Sequence, residues 1–416
     1  MKRARVARVA VLLAVLLAIA ACGATHRAAG DQIPGRVLRI YSSVPLQGAS
    51  SVDGEAVMRG ARMALDRVRG RIGKYRVVLQ SLDDATAARR TWDQGQTTQN
   101  ARQVVADRTT IGYLGELDSG ASAISIPLLN KAGIPQISPA STAVGLTSNA
   151  AGASPGEPQK YYPTGRRTFA RVVPSDAIQA VAEVRLQQSL GCTGTYVLDD
   201  GEVDGLDNAT SFDVAAQSAG LRVPATQAFD PNANDYTALA STVARSGANC
   251  VLISAITENH AVLITQQIAA AVPGVRIFGS AGLAESTYTD PAQGGIPYAL
   301  DPRVLITVAT LDPSAYPYPA QAFFARYSEL YGMPQPYAIY GYEAMSLMLA
   351  AINRATGEGR HPAQRSKVVA AIFATRNRRS VLGTYTIDRN GDTNVTRYGV
   401  YRVLAGRLTF WKAIDG

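Results

Sequence analysis

Short apolar runs alternate with amphipathic stretches along most of this chain. Val37 to Ser42 reads as a strand, Glu55 to Val68 as a helix, and Arg76 to Ser81 as the next strand. Within the helical stretch, Val57, Ala61, Ala64, Leu65 and Val68 fall on one face at helical spacing. The alternation continues with strand-like runs at Ile111 to Gly115, Ile134 to Ser138, Tyr196 to Asp199, Val251 to Ser254 and Arg276 to Gly279. It predicts an α/β fold of parallel sheets with helices on both faces. In such sheets ligands bind beyond the carboxyl ends of the strands, so the loops there are where function is to be sought.

The N-terminal segment has a different pattern. Lys2, Arg3, Arg5 and Arg8 precede an apolar run from Val9 to Ala21. That run falls short of the roughly 20 apolar residues a permanent span needs, and reads as a secretory signal. It ends in Ile19-Ala20-Ala21-Cys22-Gly23, which resembles a bacterial lipobox, with Cys22 as the lipidated residue; an ordinary signal peptide with a coincidental cysteine is the other reading. No later stretch is long and apolar enough to span a membrane, so the lipid is the one expected membrane contact. The formal charge of +9 falls by four, to +5, once the basic residues of the signal are set aside. The excess is scattered, with no basic stripe interleaved with aromatics, and nucleic acid is not implied. Cys192 and Cys250 each stand just before a strand-like run. A disulfide between neighbouring parallel strands and two separate buried thiols are both open. About 380 residues remain after the signal and linker, more than one core usually holds, and two lobes are expected.

Enzymatic chemistry finds little support. Three histidines occur: His26 in the linker, His260 opening a helix and His361 in a Gly/Pro-flanked loop. There is no metal-binding H-x-x-x-H or C-x-x-C, no Walker loop, no G-x-S-x-G elbow and no dinucleotide fingerprint. Asp83-Asp84 and Asp199-Asp200 each follow a strand and read as solvated turns or helix caps. No catalytic residue, metal or cofactor is nominated. A secreted hydrolase using Ser119 is the rival from the enzyme class, and it lacks a suitable histidine.

Several loop motifs, in order, resemble the branched-chain amino-acid binding protein family, the type I periplasmic binding proteins of ABC transporters. Pro45-Leu46-Gln47-Gly48 with Gly54 and Gly60-Ala61 is similar to the family's opening segment, and Leu82-Asp83-Asp84 to its D-D turn. Gly115 to Ala121 resembles its G-x-x-x-S-G segment, and Ala132 to Thr142 its A-G-I-P-x-I-S-P-x-A-T. Phe169-Ala170-Arg171 with Pro174-Ser175-Asp176, Tyr340-Gly341-Tyr342-Glu343-Ala344 and Asp388-Arg389-Asn390-Gly391-Asp392 extend the match to about Tyr401.

The resemblance implies two Rossmann-like lobes joined by a three-strand hinge. The expected division is a signal over 1–21, a linker over 22–35, lobe I over 36–174 and 308–380, and lobe II over 175–307 and 381–416. Crossings are expected near Val173-Ser175, Thr307-Thr310 and Val381-Gly383. The function implied is an extracytoplasmic receptor, normally a monomer, that closes on a small amino-acid-like ligand and delivers it to an ABC permease. A ligand sensor not coupled to transport would share the fold. Ser119-Gly120 and Ala140-Ser141-Thr142 correspond to the segments that hold the ligand's carboxylate, and hydroxyls and amides at helix N-termini suit that task. Other positions depart from the pattern. Asp53 and Asp204 stand where the family places aromatic residues. Ser280-Ala281-Gly282 stands where it places the acid that pairs with the ligand's ammonium. A third aromatic is absent near Ile256-Thr257, beside Glu258. A buried ammonium without a counter-charge would cost several kcal/mol. Asp53, Asp204 or Glu258 supplying that charge would favour a more polar or cationic ligand than leucine.

Overall fold

The computed structural model describes residues 30–416. The signal segment, Cys22 and His26 lie outside the described residues. The first lobe is built on a six-stranded sheet. Its strands are β1 (Val37–Val44), β2 (Arg71–Ile72), β3 (Tyr75–Asp83), β4 (Thr110–Leu114), β5 (Gln136–Ser138) and β6 (Phe169–Arg171). Their spatial order is β2-β3-β1-β4-β5-β6, all neighbours parallel except the short β2 against β3. The second lobe's sheet starts with β7 (Thr195–Asp199), β8 (Thr226–Ala228), β9 (Cys250–Ser254), β10 (Arg276–Gly279) and β11 (Val304–Val308). A small hairpin follows, β12 (Arg378–Ser380) and β13 (Gly383–Tyr385), before β14 (Arg397–Leu404) and β15 (Arg407–Asp415) complete the second sheet. Its order is β15-β14-β11-β10-β9-β7-β8, all neighbours parallel except β14 against β11 and β15. This is the two-lobed, parallel-dominated α/β architecture that the strand–helix alternation predicts.

The chain passes between the sheets after β6, after β11, and a third time between Tyr385 and Arg397. The third passage is later than the expected Val381-Gly383. The β12–β13 hairpin stays with the first lobe because the buried Glu343 carboxylate holds it, accepting from Arg378 Nε at 2.6 Å and from the Tyr385 hydroxyl at 2.7 Å. The linker also ends earlier than Gly35. Ser366 donates to Asp31, and Ile33, 3 % exposed, inserts into the first lobe's core.

Two helices of that core run unusually close, the one spanning Ser51–Arg67 and the one spanning Ala338–Ala355. A Cβ on Gly60 would lie 1.9 Å from the Ala338 carbonyl, and one on Gly341 would lie 2.2 Å from that of Val57. Only glycine allows backbones to approach this closely, which accounts for both glycines of the opening and Y-G-Y-E-A motifs. The first of these helices begins at Ser51, four residues before the periodic pattern starts, and this brings Asp53 into its first turn. In the second lobe, Cys192 and Cys250 form a disulfide. Cys250 opens β9 opposite Thr195 of the neighbouring parallel β7, so the cysteine just ahead of β7 falls within reach.

Candidate ligand-binding cleft

The carboxyl ends of both sheets face a common cleft. On the first lobe, Ser119 opens the helix Ser119–Lys131 just beyond β4, and Thr142 lies in the loop that follows β5. On the second, Asp204 lies in the first turn of the helix Val203–Ala219 beyond β7. The three meet: the Ser119 and Thr142 hydroxyls each donate to Asp204 Oδ1 at 3.0 Å. Two further contacts link the same helix to the first lobe. Gly145 N donates to Asp207 at 3.0 Å, and Arg89 pairs with Glu202 at 3.3 Å.

A buried arginine shapes the loop carrying Thr142. Arg171, at the end of β6 and 1 % exposed, donates from Nε to Asp392 at 2.7 Å and from Nη1 to the carbonyls of Ser141 and Ala143 at 3.2 and 2.8 Å. Its Nη2 reaches the Thr147 hydroxyl at 2.6 Å. Asp392 is presented by a tight turn in which Asp388 Oδ1 accepts from the amides of Asn390, Gly391 and Asp392. Two motifs more than 200 residues apart thus form one clamp on the 141–147 segment.

Other expected donors are spent within the protein. The amides of Ala140 and Ser141 both donate to Ser138 Oγ, at 3.1 and 2.8 Å. The Ser141 hydroxyl pairs with that of Ser122 at 2.8 Å. These bonds build the loop; the amides expected to face a ligand are turned onto β5. Gly120 has a steric role, since a Cβ there would lie 2.4 Å from the Trp92 ring. Thr257 Oγ1 donates to the Gly282 carbonyl, tying together the loops that follow β9 and β10. Ala281 lies in a single turn of 3₁₀-helix after β10 and adds no charge.

The first acid after β10 stands one turn beyond the Ser280-Ala281-Gly282 segment. Glu285 reaches across the cleft and accepts from the Ser50 hydroxyl at 2.7 Å. Sequence reading missed it by seeking the acid at position 281, although Glu285 is the first carboxylate after β10. Glu285 and Asp53 both line a cavity of about 730 Å³ between the lobes. Its other walls include Tyr337, Phe324, Tyr401 and Phe410, an aromatic lining drawn from segments the loop motifs do not contain. A groove of similar size, about 740 Å³, lies outside the cleft, between Arg67 and the β12 strand.

Electrostatically the cleft is acidic. Burial alone pushes the Asp53 carboxyl up to about 7. Burial, reinforced by the charge of Glu258, pushes Glu285 up to about 8. Asp118 is held well above the ordinary carboxylate range by burial and then by Asp204 and Glu258. Asp204 is also raised by burial, although the Ser119 and Thr142 hydroxyls oppose the shift. Among the described residues, Asp118 Oδ2 is shielded from solvent with no hydrogen-bond partner, and the Glu258 carboxylate, also shielded, has only the Ala49 and its own backbone amides nearby. Beneath the cleft, Asp84 is fully buried beside Glu116 and raised by burial and by that neighbour. It is not the solvated turn residue expected, whereas Asp83 does cap a turn, accepting from the Leu46 and Ala85 amides.

For chemistry, the Ser119 hydroxyl is bound to a carboxylate and accepts from the Ala143 amide, while His260 Nδ1 lies 2.9 Å from the Ala233 carbonyl. A family model described as periplasmic binding protein matches residues 39–407, and the chain belongs to that family, whose members work outside the cytoplasm. No curated protein matches at a significant level. Among solved structures, the chain is similar to a leucine-binding protein of Thermotoga maritima, with TM-score 0.76 and 22% identity over 91% of this chain and 99% of that one. It is similar to a branched-chain amino-acid transporter substrate-binding protein of Streptococcus pneumoniae in complex with isoleucine, with TM-score 0.72 and 17% identity over 92% and 100%. A solute-binding protein of R. palustris in complex with benzoate gives TM-score 0.69 and 16% identity over 91% and 96%. At these identities the likeness is one of fold.

Proposed function

We propose that this protein is the lipid-anchored solute receptor of an ABC transporter, binding a small polar solute of amino-acid size between its lobes and leaving it chemically unchanged. The observation that carries this reading is the cavity of about 730 Å³ lined by residues of both lobes, among them Asp53 and Glu285. A ligand touching both lobes binds the closed arrangement more tightly than the open one, and shifts the equilibrium toward the shape a permease recognises. The relatives' solutes run from isoleucine to benzoate, so this fold accommodates different chemistries and the side chains of the cleft select among them. The lipid on Cys22 keeps the receptor near its permease, and several acyl chains on one cysteine anchor it durably. Mass spectrometry of the small molecule that co-purifies with the protein, with small-angle scattering before and after its removal, tests the reading. The expected result is one bound solute whose loss increases the radius of gyration. A protein that carries no solute and keeps the same radius with every candidate added would refute it.

A further inference from the structure

The contact between Asp204 and the first lobe carries a consequence for the kind of solute. The Ser119 hydroxyl, at the N-terminus of its helix, and the Thr142 hydroxyl converge on one point, where a carboxylate oxygen is favoured by two donors and by the helix dipole. In this protein that oxygen belongs to Asp204 of the opposite lobe. A solute carboxylate arriving there would have to displace a covalently tethered one whose local concentration is far higher than that of a free solute. It would also approach Asp118, Glu258, Glu285 and Asp53, a group in which Glu258 acts on both Asp118 and Glu285, and Asp53 on Glu285. Three arginines stand close by: Arg407 lines the cavity, Arg90 acts on Glu258, and Arg171, already paired with Asp392, acts on Asp204. Against five acids they leave the cleft short of positive charge.

We infer that the cleft takes an organic cation without a free carboxylate, an amine or amidine, and that Asp204 is a built-in anion occupying the first lobe's hydroxyl seat. The inference rests on the receptor reading and names its solute class. Three features support it. Glu285 and Asp53 line the cavity from opposite lobes, with Glu258 close enough to act on Glu285, so a cation between them would be paired from two sides. Among the described residues the solvent-shielded Asp118 Oδ2 has no donor, and an unmet acceptor of this kind is costly until an added donor reaches it. The Tyr337, Phe324, Tyr401 and Phe410 rings suit the methylene stem and cationic head of an amine better than a second anion.

The test is calorimetric titration of the purified full-length protein with 1,4-diaminobutane, leucine and benzoate. The diamine is expected to bind one to one, at least about 10-fold more tightly than either carboxylate, the discrimination given by one charge-assisted hydrogen bond. Glu285→Gln and Asp53→Asn are each expected to weaken the diamine by about 10-fold or more on the same ground, with the melting temperature reporting that the fold is kept. Asp204→Ala frees the two hydroxyls and should strengthen leucine or benzoate binding by about 10-fold. Leucine or benzoate binding the unaltered protein as tightly as the diamine overturns the inference. So does a diamine that fails to bind, or one indifferent to the Glu285 and Asp53 substitutions. A co-purifying carboxylate would remove the inference and leave the receptor standing, whereas a protein that binds none of the three and carries no solute would remove the receptor reading itself.

Discussion

Arg171→Met asks the most of the structural account. The guanidinium is 1 % exposed and makes hydrogen bonds to four different residues: the Asp392 carboxylate, the Ser141 and Ala143 carbonyls and the Thr147 hydroxyl. Methionine fills much of the volume and makes none of these bonds. The Ser141 carbonyl is then left without a donor at about 1–3 kcal/mol, the Ala143 carbonyl keeps only the Leu146 amide at 3.4 Å, and Asp392 loses its counter-charge, so a total of about 3–5 kcal/mol is expected. The lower part of that range is favoured, because the Asp392 side chain is 23 % exposed and keeps the Thr147 hydroxyl at 2.9 Å. Arg171→Lys keeps the charge but cannot span the same partners, and should lose about half as much. Guanidinium denaturation followed by circular dichroism gives the stability, and titration with the co-purifying solute gives the affinity. Both should fall, since the clamp holds the segment bearing Thr142. A loss below about 1 kcal/mol for Arg171→Met, the level of an ordinary exposed pair, would mean that the clamp does not hold the loop.

Three further outcomes follow from the same structure. Reducing the Cys192–Cys250 disulfide, which closes a 58-residue separation, should destabilise the second lobe by up to about 4 kcal/mol; an unchanged calorimetric melting profile in reductant would contradict this. Gly341→Ala places a methyl 2.2 Å from the Val57 carbonyl, a clash no side-chain rotation relieves, and should cost about 1–3 kcal/mol in urea denaturation; a cost near zero would show that the two helices separate freely. In the solute-free protein, Asp53 and Glu285 hold protons up to about 7 and 8 that the unfolded chain releases near pH 4. The native state then binds more protons than the unfolded one, and unfolding free energy falls as pH rises between about 4 and 8. Stability from these groups is fully present below that window and lost above it, so a melting temperature that climbs from about pH 5 to 8 would refute the assignment.

Much of the cleft's framework is legible in the sequence because it is local. Strand–helix order follows from runs of apolar residues, and the positions of Ser119 and Thr142 follow from their places just after strands β4 and β5. Their use is not legible in the same way. That Ala140 and Ser141 have spent their amides depends on which way Ser138 points at the end of β5. Glu285 escaped notice because the loop after β10 holds its acid one turn later than the resemblance suggests. The aromatic lining escaped because Tyr337 and Tyr401 come from a helix start and an antiparallel strand that no loop motif marks.

Periodicity and turn residues within a few positions gave away seven of the parallel strands, the helices between them and the loops at their carboxyl ends, and chain length gave away the second lobe. Which partners those loops find is set by long-range packing. Asp204 meets Ser119 and Thr142 across 85 and 62 residues, and Ser50 meets Glu285 across 235. Such pairings arise from the chain's three passages between sheets, which set two lobes face to face, and no local pattern records which side chains then come within hydrogen-bonding distance.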